Sequence, residues 1–337
     1  MRALIIGGTR FLGYHIVRRL LDEGVEVTMF TRGRTPDEFG EHVRRVRGDR
    51  KDYKKFYEMF RRERFDVVID VIGYDPEDVE VAIKTFREHV GQYIFISTGQ
   101  VYLVTRDQRQ PSREEDYYRP LMECPPGEEQ AYEYGVKKRA CEDLLEDAYK
   151  AYKFPAVRFR CPIIHGPRDY TLRLYSYLIR ILDGHPVILP EGGDRIVRHV
   201  YVQDVVNAII NVLEVEHTRG KVYNLASREV LRLSEFLNLA ARMLEKSLVL
   251  YEIPTRIMLE HGVTPDISPF SGQWVSYLDP SLAMEEIKFN PTPVREWLRE
   301  VVHWYIDDYQ GPEPENYRQR RREVALAEFW KRLKKLE

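Results

Sequence analysis

The 337-residue sequence predicts an α/β fold, in which a doubly wound parallel sheet is followed by a smaller, mainly helical C-terminal lobe. Through residues 1–165, short aliphatic runs alternate with amphipathic helical patterns. The first of these runs ends in a glycine-rich turn, and the regular alternation stops after residue 165. Apolar strands that alternate with helices are typical of a parallel sheet covered on both faces.

Composition excludes several classes of protein. Hydrophobic residues make up 43% and charged residues 31% of the chain, which is typical of an ordered globular protein. The 52 Lys and Arg nearly balance the 54 Asp and Glu, so the net charge indicates neither a nucleic-acid nor a membrane partner. No apolar run is long enough to span a membrane, and the initial run is too short for a signal peptide.

The three cysteines, Cys124, Cys141 and Cys161, are too few and too scattered for a disulfide framework or a metal cluster. We therefore expect no metal site and reduced thiols, as in a cytoplasmic protein.

The first strand leads directly into a predicted nucleotide site. The run Ala3–Ile6 is followed by Gly7-Gly8-Thr9-Arg10-Phe11-Leu12-Gly13, and a helix follows over residues 11–22. The N-terminus of a helix carries unpaired N–H groups and a partial positive charge, which favour a phosphate. Glycines allow the backbone to approach a pyrophosphate closely. We expect a dinucleotide to contact Gly7, Thr9, Arg10, Phe11, Leu12 and Gly13.

The remaining elements follow the same alternation. The predicted strands of the sheet are Ala3–Ile6, Glu26–Phe30, Val43–Val46, Phe65–Val71, Gln92–Ser97 and Ala156–Arg160, with helices around 11–22, 52–63, 76–89 and 130–152. Residues 1–165 are predicted to form the dinucleotide-binding domain, which also receives segments near 197–226. Residues 166–196 and 227–310 would form the substrate lobe, and 311–337 a basic helical extension rich in Arg and Lys.

Ligands of such sheets bind beyond the carboxyl ends of the strands, so residues that follow strands are candidates for cofactor contact. Arg32 and Arg34 follow the second strand, where NAD-specific sites place a carboxylate. A guanidinium there suits the 2′-phosphate of NADP, with NAD as the alternative. Asp49 and Arg50 follow the third strand and are expected to meet the adenine. Gly73 and Ser97 are further predicted cofactor contacts.

The fifth strand and the long helix after it carry a candidate catalytic set. Tyr134 and Lys138 are four residues apart and share one helix face, and Thr98 ends the strand. A phenol with an ordinary pKa of about 10 is a poor base at neutral pH, but a neighbouring ammonium and a cationic nicotinamide favour the phenolate. Tyr149 and Lys153 have the same spacing, but they lie at the helix end without a partner hydroxyl. Tyr134 is therefore the predicted base, and Thr98 would hold the reacting hydroxyl.

Taken together, these motifs resemble the extended short-chain dehydrogenase/reductase superfamily, in its branch of NAD-dependent nucleotide-sugar epimerases and dehydratases, over about residues 1–310. Further matches are Gly48-Asp49-Arg50, Ser97 to Tyr102, Glu142, Arg160-Cys161-Pro162, His165 to Asp169, Val202-Gln203-Asp204 and Tyr223 to Ala226. The resemblance implies a Rossmann domain of about seven parallel strands, a sugar-nucleotide lobe and a homodimer. It also implies catalytic roles for Thr98, Tyr134 and Lys138, cofactor contact by Lys138, and a backbone near Pro162 close to the nicotinamide.

The sequence also departs from the family pattern. Arg10 replaces the family's middle glycine, as in a subgroup that includes plastid stem-loop RNA-binding proteins. Gly99 and Gln100 stand where 4,6-dehydratases place an acid, which argues against sugar dehydration. Arg198, with Arg195 close behind, is the nearest counterpart of the family arginine that binds the nucleotide diphosphate. Gln100 and Arg198 are thus the predicted substrate contacts.

These residues predict an NAD(P)-dependent oxidoreductase or 4-epimerase-like enzyme that acts on a hydroxyl of a nucleotide-linked sugar. The alternative is a non-catalytic protein of the same fold that binds NADP or RNA, a reading supported by Arg10 and the basic C-terminal segment. Against that alternative, Thr98, Tyr134 and Lys138 are all present.

Overall fold

The computed structural model describes residues 1–334, and the chain divides into two compact units. The first unit comprises Met1–Ile164, Val200–Ala226 and Ser276–Pro291. The second comprises His165–His199, Ser227–Val275 and the described residues from Thr292 onward.

The helices and strands follow one another along the chain as the alternation predicts, with short additional elements in the second half. In chain order they are β1 (Arg2–Ile6), α1 (Phe11–Asp22), β2 (Glu26–Thr31), β3 (Val43–Arg47), α2 (Tyr53–Phe60), β4 (Phe65–Asp70), α3 (Pro76–Phe86), β5 (Val90–Thr98), α4 (Gln100–Leu103), α5 (Glu129–Tyr152), β6 (Ala156–Cys161), β7 (Ile164–His165), α6 (Arg173–Leu182), β8 (Val187–Pro190), β9 (Ile196–Val197), β10 (Val200–Tyr201), α7 (Val202–Leu213), β11 (Val222–Asn224), β12 (Leu231–Arg232), α8 (Leu233–Met243), β13 (Leu250–Ile253), α9 (Thr255–Glu260), α10 (Ser281–Glu286), α11 (Val294–His303) and α12 (Arg320–Leu333).

The first unit is built on one seven-stranded sheet. The strand order is β11-β6-β5-β4-β1-β2-β3, and every neighbouring pair is parallel. The predicted doubly wound parallel sheet is therefore confirmed. The chain leaves β1 toward β2 on one side and returns through β4 on the other, so the strand order reverses between β1 and β4. In such sheets, the crevice beyond the carboxyl ends at this reversal is where ligands bind.

Burial explains why these segments form strands. Ala3, Leu4, Ile5 and Ile6 of β1 have no exposed surface, because a central parallel strand is covered by helices on both faces. One buried cluster joins the inner strands to α2, α3 and α5. Its largest members are Phe30, Phe56, Phe60, Phe65, Phe86, Tyr93, Phe95 and Phe154.

Two boundaries differ from the prediction. Residues 276–291, which the sequence pattern assigned to the substrate lobe, belong to the first unit. Leu278 is buried there with Tyr102 and Ala226, and Glu286 accepts hydrogen bonds from Lys221 and Tyr223, each at 2.7 Å. These contacts join residues far apart in sequence, which periodicity cannot show.

The C-terminal helix α12 is part of the second unit and not an appended extension. Leu326 and Ala327 are buried with Ile188 and Ile253. Glu323 is fully buried and binds the Arg180 guanidinium through both oxygens, at 2.9 and 2.7 Å. A basic composition therefore conceals a core element here, although Arg321, Arg322, Lys331, Arg332 and Lys334 are exposed. Lys335 and the two residues after it lie outside the described residues.

Candidate active site

The turn between β1 and α1 forms the base of the crevice. Gly7 has φ +99, and a Cβ atom on Gly13 would lie 2.1 Å from the Gly7 carbonyl oxygen. The start of α1 thus packs directly against the turn, which only glycine at position 13 permits. In the described chain, α1 has neither a side-chain cap at Arg10 nor an acidic residue in its first turn. Its N-terminal N–H groups and partial positive charge remain available to an anion, which fits the pyrophosphate of a dinucleotide.

The other predicted residues of the turn follow the same backbone path. Phe11 has φ +38, an unusual value for a residue with a side chain, and Leu12 is buried beside it. Thr9 is half-buried. Local backbone strain of this kind occurs where a turn is built to fit a ligand.

Arginine side chains line the loop that follows β2. Arg10 Nε donates a hydrogen bond to Thr35 Oγ1 at 3.2 Å, so the Arg10 side chain reaches from the glycine-rich turn to this loop. Arg32 and Arg34 are exposed on the loop, and neither forms an ion pair within residues 1–334. Guanidinium groups without a counter-charge, beside the position predicted for the ribose, suit a phosphate better than an uncharged ribose hydroxyl.

The two residues predicted to meet the adenine after β3 take different positions. Asp49 is exposed, and its carboxylate accepts a hydrogen bond from Lys51 N at 2.9 Å. Arg50, by contrast, was expected to meet the adenine but is 5% exposed. Its guanidinium binds Asp70 at 2.8 Å and stacks over Phe56 at 4.3 Å. A buried cation requires a partner, and Arg50 Nη2 donates to Asp70 and to the Asp78 carbonyl, so the side chain supports the end of β4.

Lys138 is held at the carboxyl ends of two strands. Its ammonium donates to the carbonyl oxygens of Gly73, at 2.9 Å, and Ile96, at 2.8 Å, and it is 2% exposed. Burial lowers the pKa of Lys138, against the opposing influence of Asp70 and Glu142. Because an ammonium has three N–H groups, one remains for a ligand hydroxyl or for Tyr134.

Tyr134 and Thr98 lie on the two elements that Lys138 connects. Tyr134 is one helical turn before Lys138 on α5 and is 36% exposed. Gly135 lets α5 pack closely on α4, because a Cβ there would lie 2.6 Å from Val104 Cγ1. Thr98 ends β5, and its Oγ1 accepts a hydrogen bond from Gln100 N at 3.2 Å, which leaves the Thr98 O–H free to donate.

A buried polar network lies behind this set, and its role was not apparent from the sequence. Ser97, predicted as a cofactor contact, donates its hydroxyl to Glu142 and so points into the protein. Glu142 binds Arg160, which also donates to the Tyr102 hydroxyl at 2.6 Å. Glu142 and Arg160 are among the motif residues that carry the family resemblance, so the sequence marked both residues but not their contact. Their mutual contact depends on the packing of α5 against β6.

The remaining predicted residues take several positions. Gly73 and Pro162 are buried beyond β4 and β6. The Gln100 carboxamide donates to the Ala131 carbonyl, so it braces the start of α5. Arg198 belongs to the second unit, where its Nε donates to the Ser227 carbonyl at 2.8 Å, and Arg195 is exposed.

Other kinds of site receive no support from the described residues. No group of three or more His, Cys, Asp or Glu side chains within residues 1–334 is arranged to hold a metal ion. Among the same residues, no helix combines the length and apolar character needed to cross a bilayer.

The fold and the turn define a dinucleotide-binding α/β protein with a Thr–Tyr–Lys set beyond its strands. Residues 3–226 match the model of the NAD dependent epimerase/dehydratase family, and the chain belongs to that family. The predicted family is thus confirmed, and membership agrees with a nicotinamide dinucleotide as cofactor.

Individual relatives are more distant. A chloroplast stem-loop binding protein of 41 kDa from Arabidopsis thaliana is 30% identical over 242 residues, which cover 68% of this chain and 59% of that protein. The dTDP-D-glucose 4,6-dehydratase of Bos taurus is 20% identical over 350 residues, covering 92% of this chain and 90% of that enzyme. The chain therefore spans less than two thirds of the first relative and most of the second.

Solved structures share the fold. A UDP-glucose 4-epimerase from Thermotoga maritima, solved with UDP-glucose, has a TM-score of 0.71 at 20% identity over 91% of this chain and 99% of that one. A dTDP-glucose 4,6-dehydratase from Bacillus anthracis, solved with NAD, has a TM-score of 0.71 at 17% identity over 91% and 97%.

Proposed function

We propose that this protein is an NAD(P)-dependent enzyme that oxidises or reduces a hydroxyl of a nucleotide-linked sugar, as a 4-epimerase-like enzyme or a reductase. The observation that carries the proposal is the anchoring of Lys138. Its buried ammonium is fixed to carbonyl oxygens at the ends of β4 and β5, one turn from Tyr134 and beside the strand that ends in Thr98.

Each residue of the set has a defined task. A dinucleotide held by the turn from Gly7 to Gly13 would supply the hydride-transfer chemistry at the sugar carbon. Tyr134, as phenolate, takes the proton from the reacting hydroxyl, and Thr98 donates a hydrogen bond to the same oxygen. The positive charge of Lys138 stabilises the phenolate, and its free N–H holds a ligand hydroxyl. No further acid or base is needed for epimerisation, because the ketosugar only has to rotate before the hydride returns.

The residues after Thr98 favour this chemistry over dehydration. Gly99 has no side chain, and the carboxamide of Gln100 is bound to the Ala131 carbonyl. Neither group can transfer a proton to a leaving hydroxyl. This supports an epimerase or a reductase.

The basic loop after β2 supports NADP as the preferred cofactor. Arg32 and Arg34 are exposed there, and Arg10 reaches the same loop through Thr35. A 2′-phosphate would pair with these guanidinium groups by charge and accept several of their N–H groups, whereas the ribose hydroxyl of NAD carries no charge to pair with them.

Turnover of UDP-, GDP- and dTDP-hexoses with NADP⁺ and NAD⁺ tests the proposal, with the products separated by chromatography. We expect the wild-type protein to convert at least one sugar. We expect Tyr134→Phe to lose about a hundredfold to ten-thousandfold in kcat, since it removes the general base. Tyr149→Phe is the matched control, as it removes a hydroxyl from the same helix outside the site. Full activity of Tyr134→Phe would refute the mechanism.

A second candidate function is RNA binding, which the similarity to the chloroplast stem-loop binding protein favours. The exposed arginines and lysines of α12 would bind phosphates, so affinity for a stem-loop RNA should fall steeply with salt. Such binding without turnover of any sugar nucleotide would favour this function over the first.

A further inference from the structure

The residue after Thr98 meets a distant segment of the first unit. A Cβ atom on Gly99 would lie 2.3 Å from Ser276 Oγ and 2.6 Å from Ser276 Cβ. No side chain fits at position 99 while Ser276 occupies this place. The space beside Thr98 that a side chain at position 99 would fill is thus filled by a serine from elsewhere in the chain.

Main-chain contacts fix the position of Ser276. Ser112 N donates to the Tyr277 carbonyl at 2.8 Å, and Asp279 N donates to the Ser112 carbonyl at 2.9 Å. Leu278, two residues after Ser276, is fully buried with Val101 and Tyr102. The segment is therefore held at Tyr277, Leu278 and Asp279, directly after Ser276, and this places Ser276 against Gly99.

The Ser276 hydroxyl is available to a ligand. Ser276 is 5% exposed, and its hydroxyl forms no hydrogen bond within residues 1–334. Its Oγ is not among the fully buried side-chain atoms that lack a partner, so the hydroxyl keeps access to solvent. A hydroxyl that reaches solvent beside the end of β5, without a protein partner, is placed to hydrogen-bond a ligand that binds there.

We propose that Ser276 is a specificity-determining residue that hydrogen-bonds a polar group of the sugar, next to the hydroxyl that Thr98 holds. This rests on the proposed function, because it requires a sugar beyond the end of β5. A hydroxyl can donate and accept, so Ser276 suits a sugar hydroxyl in that position. Ser276 thus supplies a neutral hydrogen-bonding group beside Gly99. At the same time, Ser276 sterically excludes an acidic side chain at position 99.

Calorimetric binding of UDP-, dTDP- and GDP-glucose, with UDP, dTDP and GDP as references, tests this directly. One of the three sugar nucleotides will bind the wild type most tightly. We expect Ser276→Ala to weaken binding of that sugar nucleotide by roughly fivefold to tenfold, the value of one neutral hydrogen bond. Binding of the nucleoside diphosphate and of NADP⁺ should not change. Ser281→Ala is the matched control, because it removes an exposed hydroxyl from the same segment, bonded to Asp279.

The outcomes separate the two proposals. If none of the three sugar nucleotides binds the wild type better than its diphosphate, the proposed function fails, and the role of Ser276 fails with it. If the wild type distinguishes the sugar but Ser276→Ala does so equally well, only the role of Ser276 is overturned. An equal loss for the sugar nucleotide and the diphosphate would also overturn it, since the effect would not belong to the sugar.

A pair of variants separates hydrogen bonding from packing. Gly99→Ala should lower the melting temperature, because its Cβ would collide with Ser276. Adding Ser276→Gly should recover most of the lost melting temperature. The part not recovered is due to the contact with Leu278 Cδ2, which is 3.0 Å from the added Cβ. The double variant should still bind the sugar nucleotide as weakly as Ser276→Ala. Recovery of wild-type sugar affinity in the double variant would show that the hydroxyl is not required.

Discussion

Glu142 on α5 and Arg160 on β6 form a two-pronged ion pair in the interior of the first unit. Arg160 Nη2 lies 2.7 Å from Glu142 Oε2, and Arg160 Nε lies 3.1 Å from both carboxylate oxygens. The side chains are 2% and 0% exposed for Arg160 and Glu142. Because Ser97 also donates to Glu142, the pair connects the strand that ends in Thr98 to the helix that carries Lys138.

Removing the negative partner should destabilise the protein strongly. Glu142→Gln leaves the Arg160 guanidinium buried without a counter-charge, so we expect a loss of about 3 kcal/mol in the free energy of unfolding. Urea unfolding followed by circular dichroism measures it. Glu23→Gln, which breaks the exposed pair of Glu23 and Arg19, is the control and should cost less than about 1 kcal/mol. Equal effects of the two substitutions would contradict a buried, strongly coupled pair.

The same pair predicts acid sensitivity. Burial opposes ionisation of Glu142, but the charge and hydrogen bonds of Arg160 outweigh it and hold the pKa of Glu142 below its usual range. The unfolded chain then binds more protons than the folded one at acid pH. The stabilisation is complete above the unfolded pKa of about 4.3 and is lost as the pH falls through the lower folded value. Below about pH 4, the free energy of unfolding should therefore fall less steeply with decreasing pH in Glu142→Gln than in the wild type.

Glu114 should act in the opposite direction. Burial raises the pKa of its carboxyl to about 7, although Asn224 N donates to it at 2.7 Å. Between the unfolded pKa of about 4.3 and the folded pKa of about 7, the Glu114 carboxyl is protonated in the folded protein but ionised in the unfolded chain. The stability of the fold therefore decreases as the pH rises through this range. Glu114→Gln keeps an acceptor for Asn224 and removes this dependence, with a gain on the order of 2 kcal/mol at pH 8.

Urea unfolding at several pH values between about 5 and 8 measures the difference between wild type and Glu114→Gln. Glu115→Gln, at the exposed neighbouring position, is the control and should follow the wild type. A Glu114→Gln variant with the wild-type slope across this range would show that the Glu114 carboxyl is ionised throughout.

Local patterns were sufficient to predict the sheet and the turn. Short aliphatic runs separated by amphipathic segments report burial on both faces, and this property depends only on neighbours in sequence. The glycines at positions 7 and 13 report a close backbone approach that the structure contains. The positions of Tyr134 and Lys138 on one helix face follow from helix geometry alone.

Long-range packing decided the features that the sequence did not reveal. Arg50 follows a strand, as a ligand contact would, but its side chain is drawn inward by Asp70 from another strand. Ser97 is likewise turned inward by Glu142 on α5. The approach of Ser276 to Gly99 joins positions separated by most of the chain, and neither residue type is informative by itself.

Cofactor choice can be tested at the loop after β2. Arg32→Ala should weaken NADP⁺ binding about tenfold or more and leave NAD⁺ binding unchanged, because a charge-assisted hydrogen bond to the 2′-phosphate is lost. Arg10→Ala should have the same selective effect if its side chain moves from Thr35 to the phosphate. Fluorescence titration with both dinucleotides measures it, and 2′,5′-ADP serves as an independent probe of the phosphate site.

Arg62→Ala is the matched control for these variants, since Arg62 is exposed after α2 and away from the loop. A 2′-phosphate site would be refuted if the wild-type protein bound NAD⁺ more tightly than NADP⁺. It would also be refuted if Arg32→Ala lost affinity for both dinucleotides equally.

The glycine-rich turn gives the sharpest test of where the dinucleotide binds. In Gly13→Ala, the new Cβ would lie 2.1 Å from the Gly7 carbonyl oxygen and 3.0 Å from Gly8 Cα, both backbone atoms that no rotamer change can move. Helix α1 must then shift away from the turn, at a cost of about 1–3 kcal/mol in unfolding free energy. The N–H groups of its first turn move with it, so dinucleotide affinity should fall at least about tenfold, which calorimetry measures. Gly272→Ala, where an added Cβ meets no atom within 4 Å, should change neither quantity. If Gly13→Ala lost stability but kept its affinity for both NADP⁺ and NAD⁺, the pyrophosphate could not rest on the start of α1.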